Sequence, residues 1–195
     1  MEKSQKIKAF EEELKFIVNP QIRLFAETAI SSLPDYFFEV PASSTGKYHP
    51  SYSLGVGGLL RHTRAAVRIA VELSRIEWWN FTPDEMDLIL VSLILHDGWK
   101  SGLPKQEFSV ADHPNVAVFA LKQQTDLQAL ITPEQFEFVT DNIKAHMGQW
   151  NRDWKTKQEI MEKPKTKYQK FVHLADYIAS RKSLEMNFDA EISKS

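Results

Sequence analysis

Five side chains carry the chemical interest of this sequence: His62, the doublet His96-Asp97, His146 and Asp176. Each falls on, or at the end of, a stretch whose apolar spacing turns it toward the protein interior. Imidazole and carboxylate groups held on apolar faces cost several kcal/mol unless they are paired or ligated. A His-Asp doublet alone arises easily by chance, and a single inward histidine is ordinarily a core residue with a hydrogen-bond partner. One shared metal cluster is more economical than five separate explanations. Nitrogen and oxygen donors without sulfur suit Mn, Fe, Co, Ni or Zn. Two such ions roughly 3.5 to 4 Å apart can generate hydroxide at neutral pH while neutralising phosphate oxygens, which makes phosphoester hydrolysis the natural reaction.

The elements that must position these residues read as helices throughout. Ile7, Phe10, Leu14 and Ile17 recur at helical spacing over residues 3–17, and Asn19-Pro20 opens a second helix through Ser32, with Pro at the tolerated first position. Residues 33–58, PDYFFEVPASSTGKYHPSYSLGVGG after Leu33, lose the period and are too long for a plain connection, so they read as a functional loop. Periodicity resumes over 59–75, where His62, Ala66, Ile69 and Leu73 share one face. Thr82-Pro83-Asp84-Glu85 is a capping box that launches a helix to Leu95, apolar on nearly every side and therefore central. The doublet falls at its C-terminal end, where the helix dipole favours a cation. His113-Pro114 starts a helix to about Gln124, and Thr132-Pro133-Glu134-Gln135 caps another whose Phe136, Val139, Ile143 and His146 line one side. A polar, Trp-bearing stretch over 148–164 leads to a last helix from Lys165 to about Leu184 carrying Asp176 on its flank. No strand and no internal repeat is evident, and the fold class is all-α.

Length and composition set the outer limits. At 195 residues, 43% hydrophobic and 26% charged, one compact domain is expected: N-terminal helices over 1–32, the long loop over 33–58, a metal-binding helical core over 59–184 and a tail over 185–195. The net charge of -2 provides no global field for nucleic acid or an anionic membrane. The absence of Cys removes disulfides, thiolate zinc sites and thiol nucleophiles together. The longest apolar run, Leu88 to Leu95 broken only by Ser92, is far shorter than a membrane span, and the N-terminal stretch lacks a signal-peptide core. A cytoplasmic location is expected.

The segments GGLLRHT, LILHDGWKSG and LADYIASR, with His113 and His146 between them, resemble the HD-domain metal-dependent phosphohydrolase superfamily. The resemblance implies an all-helical fold and extends over positions 62 to 176. It implies that His62, His96, Asp97 and Asp176 bind one metal, and that His113 and His146 complete a second site bridged by Asp97, giving two divalent transition metal ions. LADYIASR is similar to the HD-type diadenosine tetraphosphate hydrolases. PASSTGKYHP followed by GGLLRHT is closer to HD exoribonucleases and a further group of HD proteins.

Beyond the ligands, Lys100 matches a lysine common after the doublet in the superfamily, where it would stabilise phosphate charge; otherwise it is a solvated loop residue. Lys47 and His49, in the long loop, are candidates for phosphate contact or for protonating the leaving group, against plain loop residues. Arg181, one turn past Asp176, is a weaker phosphate candidate whose alternative is a surface salt bridge. His173 shares a helical face with Asp176 but lies outside the family pattern and reads as a supporting histidine. Trp99 and Trp150 could stack a base or close the core, and Trp78 and Trp79 are assigned to packing. Seven basic residues between Arg152 and Lys170 form the one local patch able to guide a polyanion. The favoured function is hydrolysis of a nucleotide or other small phosphoester. The alternatives are a 3′ to 5′ exonuclease on single-stranded RNA or DNA, for which no OB-fold module is visible, and a metal- or nucleotide-binding sensor without turnover.

Overall fold

The computed structural model of the protein describes residues 1–153 and 155–184; the expected tail, 185–195, lies outside the described residues. Within these limits the structure is helical: α1 (Lys3–Lys8), α2 (Glu11–Leu14), α3 (Pro20–Ser32), α4 (Gly58–Ser74), α5 (Pro83–Leu95), α6 (His113–Lys122), α7 (Thr125–Gln128), α8 (Pro133–Ala145) and α9 (Lys167–Ala179). The one β feature among the described residues is an isolated bridge between Arg152 and Glu159.

Helix α5 is the axis of the fold. Thr82 and Glu85 close its capping box in both directions, and Asp87 through Leu95 are all buried. It packs against α3, α4, α8 and α9. Its one interior hydroxyl, on Ser92, is satisfied by donating to the Leu88 carbonyl at 2.7 Å. Such a helix delivers whatever follows its last turn, here His96-Asp97, to the middle of the molecule. The same capping chemistry starts α8 at Thr132 and α9 at Thr166.

Two polar anchors tie the N-terminal helices to the rest of the fold, one to α5 and one to α4. The Asp87 carboxylate accepts from the backbone N–H groups of Val18 and Asn19, the latter at 2.7 Å, satisfying donors at the entrance to α3. Glu13 of α2, fully buried, takes Arg64 Nε at 2.9 Å and Arg68 Nε at 2.7 Å, both from α4. Removing either partner of such a buried pair would strand a charge, so α4 is held in register by it.

Residues 33–57 are more ordered than their sequence suggests. They contain short 3-10 turns at Asp35–Phe38 and Ser51–Ser53. Gly57 and Leu59 donate back to Glu39 and Val40, and Arg61 of α4 reaches the Tyr52 and Leu54 carbonyls. Gly58 is where this loop touches the helix: a Cβ there would lie 2.2 Å from the Ser53 carbonyl oxygen. The loop also reaches the far end of the chain, with Tyr52 donating to the Ala179 carbonyl at 2.9 Å and Lys182 N–H to Tyr48 at 2.8 Å.

These contacts account for departures from the expected elements. The expected helix over 3–17 breaks into α1 and α2 because Phe10 leaves helical geometry to bury itself stacked on Phe37, 6.1 Å between centroids. The last helix starts at Lys167 and ends at Ala179 rather than near Leu184, since the loop residues Tyr48 and Tyr52 take over its terminal hydrogen bonds. Trp79 packs as expected, on Phe81 and Phe171, but Trp78 is 79% exposed and belongs to no core.

Candidate metal centre

Five elements converge on one buried cluster. His62 projects from α4, His96 and Asp97 from the end of α5, His113 from the first position of α6, His146 from the end of α8 and Asp176 from α9. All but Asp176 are buried; the Asp176 side chain retains 16% exposure. Asp97 sits at the middle. Its Oδ2 lies 3.4 Å from His96 Nε2 and 3.8 Å from His62 Nε2, while its Oδ1 lies 2.9 Å from His113 Nε2 and 3.7 Å from His146 Nε2. Asp176 Oδ1 closes the first group at 2.9 Å from His62 Nε2 and 3.5 Å from His96 Nε2. One carboxylate therefore presents an oxygen to each of two histidine groups, the arrangement a bridging ligand needs.

The imidazoles are oriented as ligands. His96, His113 and His146 each donate Nδ1–H to the carbonyl three residues earlier, Leu93 at 2.6 Å, Val110 at 2.9 Å and Ile143 at 2.7 Å. A carbonyl can only accept, so the hydrogen is on Nδ1 and each Nε2 is turned into the cluster. His113 and His146 bring their Nε2 atoms to 3.3 Å of each other. His96 Nε2 and Asp97 Oδ1 have no hydrogen-bond partner although both are fully buried. Ring nitrogens converging on one carboxylate, with His96 Nε2 and Asp97 Oδ1 left without hydrogen-bond partners, are what a metal cation satisfies by displacing any proton there. The ligand atoms of His62, His96 and Asp176, and those of His96, Asp97 and His146, lie within 4.8 Å of one another. The donor set fits divalent transition metals.

Electrostatics point the same way. Burial would push both carboxyls up, yet Lys100 and His96 hold Asp97, and His62 and His96 hold Asp176, well below the usual carboxylate range. For His96, burial opposes the charge but Asp97 and Asp176 outweigh it, lifting the imidazole to about 10. His146 is pushed down to about 4 by burial and the neighbouring imidazoles, against the pull of Asp97, and so offers a neutral ring. Without a metal, the proton on His96 and the Lys100 ammonium, 2.6 Å from Asp97 Oδ2, carry the compensating positive charge.

A pocket of about 350 Å³ opens onto this cluster, lined among others by Ser44, Thr45, His49, Lys100, Ser109 and His113. His49 stands with its ring 5.7 Å from that of His62; burial, His62 and Lys100 lower it to about 4. The structure thus brings His49 and Lys100 to the candidate centre. Lys47 is exposed, with Nζ 5.2 Å from the Tyr48 ring, and Arg181 lies over the Tyr177 and Trp150 rings; neither lines the pocket. Trp99 is 3% exposed and closes the core, which rules it out as a stacking surface. His173 supports the centre: its Nδ1 donates to the His146 carbonyl at 2.7 Å and its Nε2 meets Gln149 Oε1 at 3.0 Å. The hydroxyls of Ser44, Thr45 and Ser109 were not singled out by the sequence reading, although the Ser/Thr run before Gly46 was a visible signal. A larger cleft, about 470 Å³ along α1 to α3, involves none of these residues.

The protein is all-helical, with a buried histidine–carboxylate cluster gathered from five elements. The HD domain model matches residues 59–181, and the chain belongs to the HD domain family. HD domains bind divalent metals and are commonly hydrolases. Comparison with curated proteins and with solved structures finds no match. No helix among the described residues is long and apolar enough to cross a membrane.

Proposed function

We propose that the protein hydrolyses a nucleotide or other small phosphoester, with His62, His96, Asp97 and Asp176 holding one divalent ion, His113 and His146 a second, and Asp97 bridging. The single observation that carries this reading is the division of Asp97, one oxygen toward each histidine group. When bound, the ions supply Lewis acidity that activates water and neutralises phosphoryl charge.

The chain's own residues account for the rest. His96, His113 and His146 are held in one tautomer by backbone carbonyls, so little reorganisation accompanies binding of charge. Lys100 is poised to move its ammonium from Asp97 to a phosphate oxygen, and its 16% exposure toward the pocket gives it the freedom to do so. His49, which lines the same pocket, contacts the ester or its departing oxygen. Ser44, Thr45 and Ser109 offer hydroxyls for a polar, sugar-like substituent.

The basic patch over 152–170 favours a small substrate over a polynucleotide. Arg152 and Lys163 pair with Glu159, Lys165 pairs with Glu162, and Lys167 lies over the Phe81 and Tyr168 rings. Three of the seven cations are already ion-paired, so the patch has fewer free charges with which to release counterions on binding a strand. The test is a salt titration of kcat/KM on a panel of mononucleotides, cyclic and dinucleotide esters and aryl phosphates, beside a labelled 20-mer of RNA and of DNA. Small-ester hydrolysis with a shallow salt slope is expected. Rapid 3′ to 5′ laddering of the 20-mer, with affinity falling by orders of magnitude between about 50 and 200 mM salt and no small-ester hydrolysis, would make the protein an exonuclease instead. Metal binding without any turnover would make it a sensor.

A further inference from the structure

Next to the metal centre stands a group of side chains that the phosphoester chemistry does not use. Trp150, 44% exposed, stacks on Tyr177 with ring planes 14° apart and centroids 5.7 Å apart. The Arg181 guanidinium lies 4.4 Å from the Tyr177 centroid and 5.3 Å from that of Trp150, fixed by hydrogen bonds to Ser180 Oγ and the Tyr177 carbonyl. No acidic side chain among the described residues pairs with Arg181.

The segment leading to Trp150 is shaped to bring it there. Gly148 adopts φ +57°, and a Cβ on it would fall 2.2 Å from the His173 ring, so the chain after His146 turns in a way only glycine permits. Gln149 then bonds His173, and Trp150 follows. Both supports of the aromatic group are continuous with metal-ligand positions: Trp150 comes four residues after His146, and Tyr177 directly follows Asp176. Arg181 follows Asp176 by five residues, just past the end of α9. Met147, between His146 and Gly148, lines the pocket itself.

From this geometry we infer that Trp150, Tyr177 and Arg181 form a stacking platform for the planar base of a nucleoside phosphate whose phosphate sits at the metal centre. A tryptophan stacked on a parallel tyrosine, with a held guanidinium over both rings and nearly half of its own surface exposed, presents a rigid π surface and a cation, the two features that bind a heteroaromatic base. The inference rests on the small-phosphoester reading and selects the nucleotide within it.

The experiment uses full-length Trp150→Leu, which keeps an apolar side chain but removes the ring, and Trp150→Phe, which keeps an aromatic face. Two readouts are taken. In the metal-loaded protein, the ratio of kcat/KM for adenosine 5′-monophosphate over ribose 5-phosphate falls about 5- to 150-fold in Trp150→Leu, the range that one stacked base contributes, and recovers largely in Trp150→Phe. In chelator-treated protein, adenosine without any phosphate perturbs the Trp150 indole signal in an NMR titration, and Trp150→Leu weakens that binding by a similar factor. An unchanged ratio, or equal losses for both substrates, together with adenosine binding indifferent to Trp150, would overturn the platform. If the wild type hydrolyses neither ester, the adenosine titration alone decides: Trp150-dependent binding upholds the platform while the hydrolase reading fails, and its absence removes both.

Discussion

Replacing Asp97 by Asn keeps the shape of the side chain and removes its charge from the centre of the cluster. In the metal-free protein the carboxylate is paired at 2.6 Å with Lys100 and is itself almost fully buried. Breaking a buried pair from one side costs about 3 to 5 kcal/mol because the remaining charge is stranded. Lys100 can turn toward the pocket, so the lower end, about 3 kcal/mol, is expected. For a protein of this size each kcal/mol corresponds to roughly 2 to 4 °C, so the chelator-treated variant should melt about 6 to 12 °C below the wild type. The second half of the prediction concerns metal. At a free concentration 100 times its Kd, a ligand stabilises the native state by about 2.7 kcal/mol, raising the wild-type Tm by roughly 5 to 11 °C. Asp97→Asn should lose most of that rise, since its amide replaces the oxygen shared between the two groups. Thermal melts of both proteins in chelator and in Mn, Co or Ni provide the assay. A variant that melts with the wild type in chelator and gains the same increment from metal would refute the reasoning that places Asp97 at the middle of the site.

Three further outcomes follow from the same geometry. His113→Ala should retain about one metal while losing most activity, because His62, His96, Asp97 and Asp176 remain intact; full activity with full metal content would reduce the centre to a single ion. Lys100→Ala should lower kcat/KM by roughly 10- to 1,000-fold with metal content preserved, as elemental analysis beside kinetics would report, and a wild-type rate would return Lys100 to the role of a solvated loop residue. Because the two carboxylates lift His96 to about 10, a metal must displace its proton. Affinity should therefore rise as pH climbs from the ordinary histidine value of about 6.5 toward 10. The stability that the imidazolium lends the metal-free protein is present in full below about 6.5 and is lost as pH rises through about 10. Potentiometric titration should record about one proton released per chain on metal uptake at pH 8, and no release would contradict the assignment.

What the sequence made legible was local. Thr82 and Thr132 capping boxes mark the starts of α5 and α8, and the unbroken apolar character of α5 already makes it central and puts the doublet in the interior. His62 and His146 fall on inward faces because helical periodicity is a short-range property. What the sequence hid depends on contacts between distant segments. Phe10 shows no breaker signal, yet burial against Phe37 divides the first helix. The short helix α7 is too brief for any period to declare it, and α9 stops at Ala179 because a loop more than 120 residues earlier meets it there. At the site, five of the six ligands were legible from their inward positions, but His113 and the division into two groups only through resemblance, since nothing in the spacing of His113 says that its Nε2 meets Asp97 Oδ1. The pairing of Lys100 with Asp97, the support of His146 by His173, and the contact of Arg181 with Tyr177 and Trp150 are tertiary facts of the same kind.

A dinuclear centre bridged by Asp97 is open to direct observation by metal counting and anomalous diffraction. Protein purified without chelator and loaded with Mn, Fe, Co, Ni or Zn should contain close to two ions per chain. It should give two anomalous peaks roughly 3.5 to 4 Å apart, one on each side of the Asp97 carboxylate. Absence of bound metal after loading, or a single peak with His113 and His146 unligated, would contradict the account.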